Sequence, residues 1–345
     1  MLACVTGGTG FVGSYIVRAL LDDGHDVRVY HRQSSKQDAL RGLSYTSAIG
    51  ELNDQHALIE AFTGCDWVFH VAAVADYWRA DQTQLFSINV DGTRHVLEAA
   101  KRAGVKRIIF TSSAAAVGLP TDNTPSDETC AFNLPPEHFP YGYSKVLAEQ
   151  IVQEFVVEGL DVVIVNPSVV IGAGDLNMIS GSYITQVAQW QWLVPKSSGS
   201  IAVSDVRDIA QSHLAAAKNG ITGERYLLVT DNYTNQEWFS MIAEIVGVAP
   251  PLIPTPDFLI PLAAMLINGI RQMGINTPIN ADQVRLGARH VIFDASKAHT
   301  QLYAPQIPIR QSLEATVRWY RENGYLAETR LSKILSIIGR WWYRA

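Results

Sequence analysis

Apolar positions in the first half of the chain fall into short continuous runs, separated by stretches where they recur every three or four residues. Leu2-Ala-Cys-Val5, Trp67-Val-Phe-His-Val-Ala72, Arg107-Ile-Ile-Phe-Thr111 and Val162-Val-Ile-Val165 have strand length, and Asp26-Val-Arg-Val-Tyr30 reads as a further strand. Unbroken apolar runs suit strands covered on both faces. Val90 to Ala103 carries helical periodicity and meets Gly104, a C-terminal stop. Strands alternating with helices predict right-handed parallel crossovers, hence an α/β fold with a Rossmann-type doubly wound parallel sheet. The pattern weakens after Asn166-Pro167. Residues 172–200 hold Trp190 and Trp192 in no clear repeat, the stretch from Ala202 to Ala216 reads as helical, and Arg225-Tyr-Leu-Leu-Val229 reads as one more strand. From about residue 236 onward the reading is helical, punctuated by Pro250, Pro251, Pro254, Pro256, Pro261 and Pro278. The expected division is a nucleotide-binding body of residues 1–170 plus 201–235, and a smaller, mostly helical C-terminal substrate lobe of residues 171–200 plus 236–345.

Between the first strand and Ser14-Tyr-Ile-Val-Arg-Ala-Leu20 lies Thr6-Gly-Gly-Thr-Gly10-Phe-Val-Gly13. A strand that feeds a glycine turn and then a helix lays a dinucleotide pyrophosphate on the helix N-terminus. A second constellation is Tyr141-Gly-Tyr-Ser-Lys145. Tyr141 and Lys145 are four apart and share one helix face, whereas Tyr143 points elsewhere. A free phenol has a pKa near ~10. An ammonium at ~4 Å is worth roughly 1 kcal/mol in water and about 4 at intermediate dielectric, a drop of about one to three pKa units. Lys145 is therefore expected to make Tyr141 an acid–base catalyst at a carbonyl or alcohol oxygen. The third piece, Phe110-Thr-Ser-Ser-Ala114, sits at the C-terminal end of a strand, where ligands gather in open parallel sheets. Ser112 and Ser113 are both placed to orient the substrate oxygen.

These pieces, in this order, resemble the extended short-chain dehydrogenase/reductase family. Its wider-spaced glycine motif matches residues 6–13, its serine strand puts Ser113 at the catalytic position, and its Tyr-x-x-x-Lys pair matches Tyr141 and Lys145. Asn89-Val-Asp-Gly-Thr93 and Asn166-Pro-Ser-Val-Val-Ile-Gly172 are similar to two further family segments, with Asn166 where the family has Arg. The resemblance covers roughly residues 1–235, and its wording is similar to the dihydroflavonol reductase-like and 3-beta-hydroxysteroid dehydrogenase-like branch. It implies catalytic Ser113, Tyr141 and Lys145. It also implies a cofactor site built from Gly7, Thr9, Gly10, Phe11, Val12, Glu51, Leu52, Ala72, Ala73, Pro167 and Val170, together with Tyr141 and Lys145, and a homodimer through the helix carrying Tyr141.

The second strand selects the cofactor. An NAD site ends that strand with an acid for the ribose hydroxyls. Here it ends Val29-Tyr-His-Arg32, followed by Lys36. Guanidinium suits a 2′-phosphate, so Arg32 and Lys36 predict NADP, with NADPH preferred over NADH. The expected activity is reduction of a ketone or aldehyde. A nucleotide-sugar epimerase would use the same triad, but needs cations for a diphosphate, for which Arg271, Arg285 and Arg289 are the candidates.

Composition adds limits. The 345 residues carry a net charge of −6, 48% apolar and 17% charged residues, which suits a compact enzyme of small molecules and not a nucleic-acid binder. Three scattered cysteines argue against a disulfide framework or metal site and fit the cytoplasm. The first apolar run has no basic segment before it and ends in glycines, so it reads as a strand and not a leader. His70 and His213 read as structural, Asp205, Arg207 and Asp208 as a charge network beside the site, and Asp76, Tyr77 and Trp78 as candidates for substrate contact. Residues 119–140, with five prolines, predict an irregular rim. Phe258 to Ile270 is expected to pack in the lobe and wall an apolar pocket. The tail Arg330 to Arg344 is cationic and aromatic, a composition that packs on its own lobe or contacts a membrane surface.

Overall fold

The computed structural model describes residues 1–75, 81–120, 124–178, 180–273, 281–326 and 332–335. Asp76, Tyr77, Trp78, Pro278 and most of the C-terminal tail lie outside the described residues.

Seven parallel strands form the main sheet: β1 (Leu2–Thr6), β2 (Asp26–His31), β3 (Thr46–Ile49), β4 (Trp67–His70), β5 (Arg107–Thr111), β6 (Val162–Pro167) and β9 (Arg225–Leu228), in the order β3-β2-β1-β4-β5-β6-β9. Side chains alternate across the pleat, so each strand feeds two cores. Ala3, Val5, Val27, Val29 and Val165 pack beneath α1 (Phe11–Asp22) and α7 (Val206–Asn219). Cys4, Val68, Ile108 and Ile164 pack beneath α2 (Gln55–Phe62), α4 (Gly92–Ala103) and α5 (Pro140–Val157). This double coverage is why these strands read as continuous apolar runs. α4 follows a short helix α3 (Gln82–Phe86) and one π-helical turn, Ser87–Asp91, and it stops before Gly104 as that glycine predicts.

The chain passes from β1 outward to β3 and returns to β4 on the other side of β1. Ligands bind at the C-terminal ends of strands at such a reversal. Here the turn after β1 meets the end of β4 closely enough that an ideal Cβ on Gly7 would lie 2.7 Å from the Ala72 Cα, and Gly7 itself has φ +70°. Only glycine fits both conditions. Gly13 is equally restricted, since a Cβ there would fall 2.2 Å from the Gly7 carbonyl oxygen.

A second sheet that the apolar pattern does not predict joins β7 (Val169–Ile171), parallel to β8 (Ser200–Asp205), which in turn is antiparallel to β10 (Asp231–Thr234), strands that fall largely within the stretches expected to belong to the nucleotide-binding body. Against it pack α6 (Ser182–Trp190), α8 (Asn235–Val246) and α12 (Ile309–Glu322), around Ile184, Trp238, Ile242, Leu313 and Tyr320. The remaining helices are α9 (Ile260–Gln272), α10 (Ala281–Leu286) and α11 (Ser296–Gln301). The expected helix from Ala202 is corrected. Residues 200–205 form a buried strand, and the helix begins only at Val206, capped by the Asp205 carboxylate on the Arg207 N–H at 2.7 Å. The serines hid the strand. Ser204 is satisfied by the Leu228 carbonyl at 3.0 Å and Ser200 by His290 Nδ1 at 3.1 Å, partners that only the tertiary fold supplies. A second correction concerns residues 258–270. α9 buries Ile260 and Ala264, but Phe258, Leu262, Met265 and Leu266 face solvent and none of them lines the cleft. Before Pro140 the described part of the 119–140 rim holds no helix or strand.

The Gly13→Ala variant is expected to lose about 1–3 kcal/mol of stability through overpacking, measured as a lowered thermal unfolding midpoint. Unchanged stability would show that the turn has slack.

Candidate active site

A single large cleft of about 1410 Å³ crosses the C-terminal ends of the main sheet. Every residue selected above as catalytic or cofactor-binding lines it, from Arg32 and Lys36 beyond β2, through Gly7, Thr9, Gly10, Phe11 and Val12, to Pro167 and Val170 beyond β6. Gly10, the N-cap of α1, provides no side-chain cap for the helix. First-turn N–H groups without a capping side chain form an anion site, so the turn fits a pyrophosphate. At the β2 end, the Tyr30 hydroxyl donates to the Glu51 carbonyl at 2.8 Å and fixes the segment that carries Glu51 and Leu52 into the cleft. The Arg32 side chain is exposed beside Ser34 and Lys36 and makes no ion pair within the described residues.

Ala72 and Ala73 are held by neighbours chosen for that task. The Thr6 hydroxyl accepts from the Ala72 N–H at 3.3 Å, and Asn89 brackets Val74, accepting from its N–H at 2.8 Å and donating to its carbonyl at 3.1 Å. Asn89 Nδ2 also donates to Ser144 Oγ on α5 at 3.1 Å, so one buried amide aligns the end of β4 with the helix carrying Tyr141 and Lys145. Asn89 sits in the π-helical turn.

The Tyr141 phenol hydrogen-bonds the Ser113 hydroxyl, and Ser113 Oγ also accepts from the Ala115 N–H at 3.2 Å. Lys145 Nζ donates to the Thr111 carbonyl at 2.9 Å and lies 5.3 Å from the centre of the Phe110 ring. Ser112 turns the other way, to Glu149, so Ser113 is the serine beside the phenol. Burial sets the proton affinities. It raises the Tyr141 phenol above its ordinary value, a rise opposed by the Ser113 hydrogen bond. It lowers the Lys145 ammonium to about 8, opposed by the Glu149 carboxylate. The expected depression of the phenol by Lys145 is therefore corrected: in this resting site burial sets the direction, and the ammonium is directed to the Thr111 carbonyl.

Glu149 escaped the sequence reading, although it lies one further turn along the face that holds Tyr141 and Lys145. Its carboxylate accepts from Ser112 Oγ, from Asn166 Nδ2 at 2.6 Å and from Arg225 at 3.0 Å. Asn166 also donates to the Ser113 carbonyl at 3.0 Å, which gives a role to the residue that departs from the family pattern. The other candidates sit apart. His70, pushed down to about 3 by burial and by Lys145, bridges Thr6 at 2.9 Å and Thr93 at 3.2 Å. His213, pushed down to about 4 by burial, bonds Thr111 at 3.0 Å and the Ile209 carbonyl at 2.7 Å. Both are neutral structural imidazoles. Asp205, Arg207 and Asp208 do not line the cleft, and Asp208 instead accepts from Tyr303 and the Gln306 and Ile307 N–H groups. Arg271, Arg285 and Arg289 are likewise absent from its walls, and Arg285 pairs with Asp282 at 2.6 Å.

Comparison with known proteins agrees with this geometry. The profile of the NAD dependent epimerase/dehydratase family matches residues 3–228. A Synechocystis sp. protein carrying a dihydroflavonol 4-reductase name is 37% identical over 331 residues, covering 93% of this chain and 95% of that protein. The sterol demethylase protein B of Methylococcus capsulatus is 32% identical over 332 residues, covering 94% of this chain and all of that protein (100%). Among solved structures, that of gox2253 superposes with a TM-score of 0.82 at 32% identity, covering 94% of this chain and 98% of that one.

Glu149→Gln removes the charge that favours the Lys145 ammonium while leaving an amide to bond Ser112. The Lys145 titration, followed by NMR of isotopically labelled lysine, is expected to move to lower pH than in the parent. Stability is expected to fall by roughly 1–3 kcal/mol as Arg225 loses its anion. An unshifted titration would refute the electrostatic role.

Proposed function

Because the chain belongs to the NAD dependent epimerase/dehydratase family and is an NAD(P)-dependent oxidoreductase, we propose that it uses NADPH to reduce a ketone or aldehyde on an uncharged, largely apolar scaffold. The observation that carries this reading is the distribution of charge along the cleft. Arg32 and Lys36 stand at the β2 end, while the apolar part of the lining is made by Leu119, Leu134, Tyr183, Leu286, Val291, Phe293 and Tyr325, with Asp175, Asn177 and Ser180 among its polar members. Among the described residues, Lys145 is the one lysine or arginine on that side, and it is committed to the Thr111 carbonyl. A nucleoside diphosphate sugar would find no cation there, whereas an apolar carbonyl compound would be desolvated favourably. The relatives' names, a dihydroflavonol reductase and a sterol demethylase protein, point to the same class of ring-fused substrate. The unpaired thiols Cys4, Cys65 and Cys130 support a reducing compartment such as the cytoplasm.

The residues fit their roles in the reductive direction. The chemistry that NADPH would supply when bound here is a hydride for the carbonyl carbon. Tyr141, held protonated at neutral pH by its raised pKa, gives its phenolic proton to the oxygen and is reprotonated from solvent. The Ser113 hydroxyl, already bonded to that phenol, orients the oxygen. Lys145 spends one N–H on the Thr111 carbonyl; its remaining donors would hold the nicotinamide ribose, and its charge would favour the phenolate as it forms. Arg32 and Lys36 would take the 2′-phosphate by charge-assisted hydrogen bonds.

A panel of apolar ketones and aldehydes assayed by loss of NADPH absorbance tests the proposal. Net NADPH consumption is expected, and a cofactor that stays bound without net turnover would favour an epimerase. Tyr141→Phe is expected to lower kcat by about 10²–10⁴-fold. Arg32→Asp is expected to reverse the preference from NADPH to NADH, and a parent enzyme already faster with NADH would overturn the cofactor assignment.

A further inference from the structure

Two phenols line the cleft without a task in the chemistry above. Tyr183 lies in the first turn of α6 and Tyr325 follows α12, and both share the lining with Leu286, Val291 and Phe293. Both are half-buried. Among the described residues neither phenolic oxygen makes a hydrogen bond, and neither is sealed from solvent. A tyrosine hydroxyl in such a position ordinarily has a partner. Burial raises the Tyr183 phenol above its ordinary value, so at neutral pH it keeps its proton and can donate as well as accept.

The fold holds Tyr183 in place from behind. Its ring meets the Trp238 indole edge to face, 6.5 Å between centroids, and the Phe239 ring at 6.2 Å, both on α8. The turn that carries it is also fixed. The Asp175 carboxylate accepts from the Ser180 and Gly181 N–H groups at 3.0 and 2.9 Å. The fully buried Tyr320 comes so close to Gly181 that an ideal Cβ there would fall 1.6 Å from its hydroxyl, which donates to the Asp175 carbonyl at 3.2 Å. The same Tyr320 ring packs on Tyr325 at 5.3 Å, and Tyr325 stacks on Trp319 at 5.4 Å. One buried tyrosine thus joins the two that open on the cleft and keeps them in one neighbourhood.

We propose that Tyr183, with Tyr325 near it, is a specificity-determining residue whose hydroxyl recognises a second, uncharged oxygen function on the substrate, a hydroxyl carried away from the carbon that is reduced. This rests on the reductase reading and deepens it, from an apolar carbonyl compound to an apolar hydroxy-ketone or hydroxy-aldehyde. Water can satisfy a phenol in an open cleft, but an apolar scaffold that fills the cleft strips that water away. A substrate with a hydroxyl at that point replaces the lost bond, and one without it leaves the phenol orphaned. Sites of this kind discriminate through the penalty on the wrong substrate. Charge selects the class of oxygen. Asp175 lines the cleft in this neighbourhood, whereas among the described residues the lysines and arginines of the lining are Arg32, Lys36 and Lys145, none of them on α6 or after α12. A carboxylate or phosphate on the substrate would meet like charge there with no cation to offset it, and a hydroxyl avoids that cost.

Isothermal titration of the full chain tests this, with NADP+ present so that no hydride is available. The probes are cyclohexanones substituted, at the carbon opposite the carbonyl, by phenyl, by para-hydroxyphenyl or by para-carboxyphenyl. The parent is expected to bind the hydroxylated ketone about tenfold more tightly than the phenyl ketone. Tyr183→Phe keeps the ring and removes the hydroxyl. It is expected to bring those two ketones within about twofold of each other, through weaker binding of the hydroxylated one, with the thermal unfolding midpoint kept. In initial rates with NADPH, the same loss is expected in KM and not in kcat. The proposal is overturned if the parent binds the two ketones equally, if neither binds, or if Tyr183→Phe keeps the parent's preference. Tighter binding of the carboxylate than of the hydroxylated ketone would also overturn it. A Tyr183-dependent preference in binding without any NADPH consumption would support the role of this phenol and count against the reductase reading alone.

Discussion

The contact between the turn after β1 and the end of β4 is the constraint from which the site follows. Two backbones approach there with no side chain between them, at Gly7 and Ala72, and α1 starts four residues after Gly7, its N-cap Gly10 bonded to the same carbonyl that excludes a Cβ from Gly13. This closeness lets a helix terminus and two strand ends face one space. A bulkier turn would hold α1 away from the sheet and separate its N-terminus from the strand that carries Ser113 and the helix that carries Tyr141 and Lys145.

Burial is the second determinant, and it acts on protons. Tyr141 and Lys145 are pushed in opposite directions by the same desolvation, each toward its neutral form. An ammonium kept inside a protein needs an anion nearby, and Glu149 is that anion. Its other oxygen contacts, to Ser112, Asn166 and Arg225, hold it in place. The charge on Lys145 is thus supported from one turn further along the helix, by the Glu149 carboxylate.

The strands of the main sheet were legible because they are covered on both faces and read as apolar runs. β3, whose residues are Thr46-Ser-Ala-Ile49, and β10, whose residues are Asp231-Asn-Tyr-Thr234, were not, since short and partly exposed strands carry no such run. β8 was misread because buried serines are satisfied only by distant partners. The motif residues all reached one cleft, since each is tied to a strand end or a helix face whose position follows from topology. Two things were invisible: the direction of the Tyr141 shift, which depends on how deeply the pair is buried, and the exposure of α9, which apolar composition alone assigns to the interior.

Arg225 joins two parts of the cleft that could have been independent. One nitrogen holds Glu149, while others donate to the carbonyls of Glu128 at 2.6 Å and Cys130 at 3.2 Å in the irregular rim. The rim is therefore moored through Arg225 to the carboxylate that acts on Lys145, and Phe132 adds a ring contact with Tyr143 on α5. A change at the mooring reaches both the rim and the chemistry, so divergence that admits a differently shaped molecule must leave Arg225 in place. The fold in this way confines evolutionary novelty to the mouth and shelters what lies beneath it.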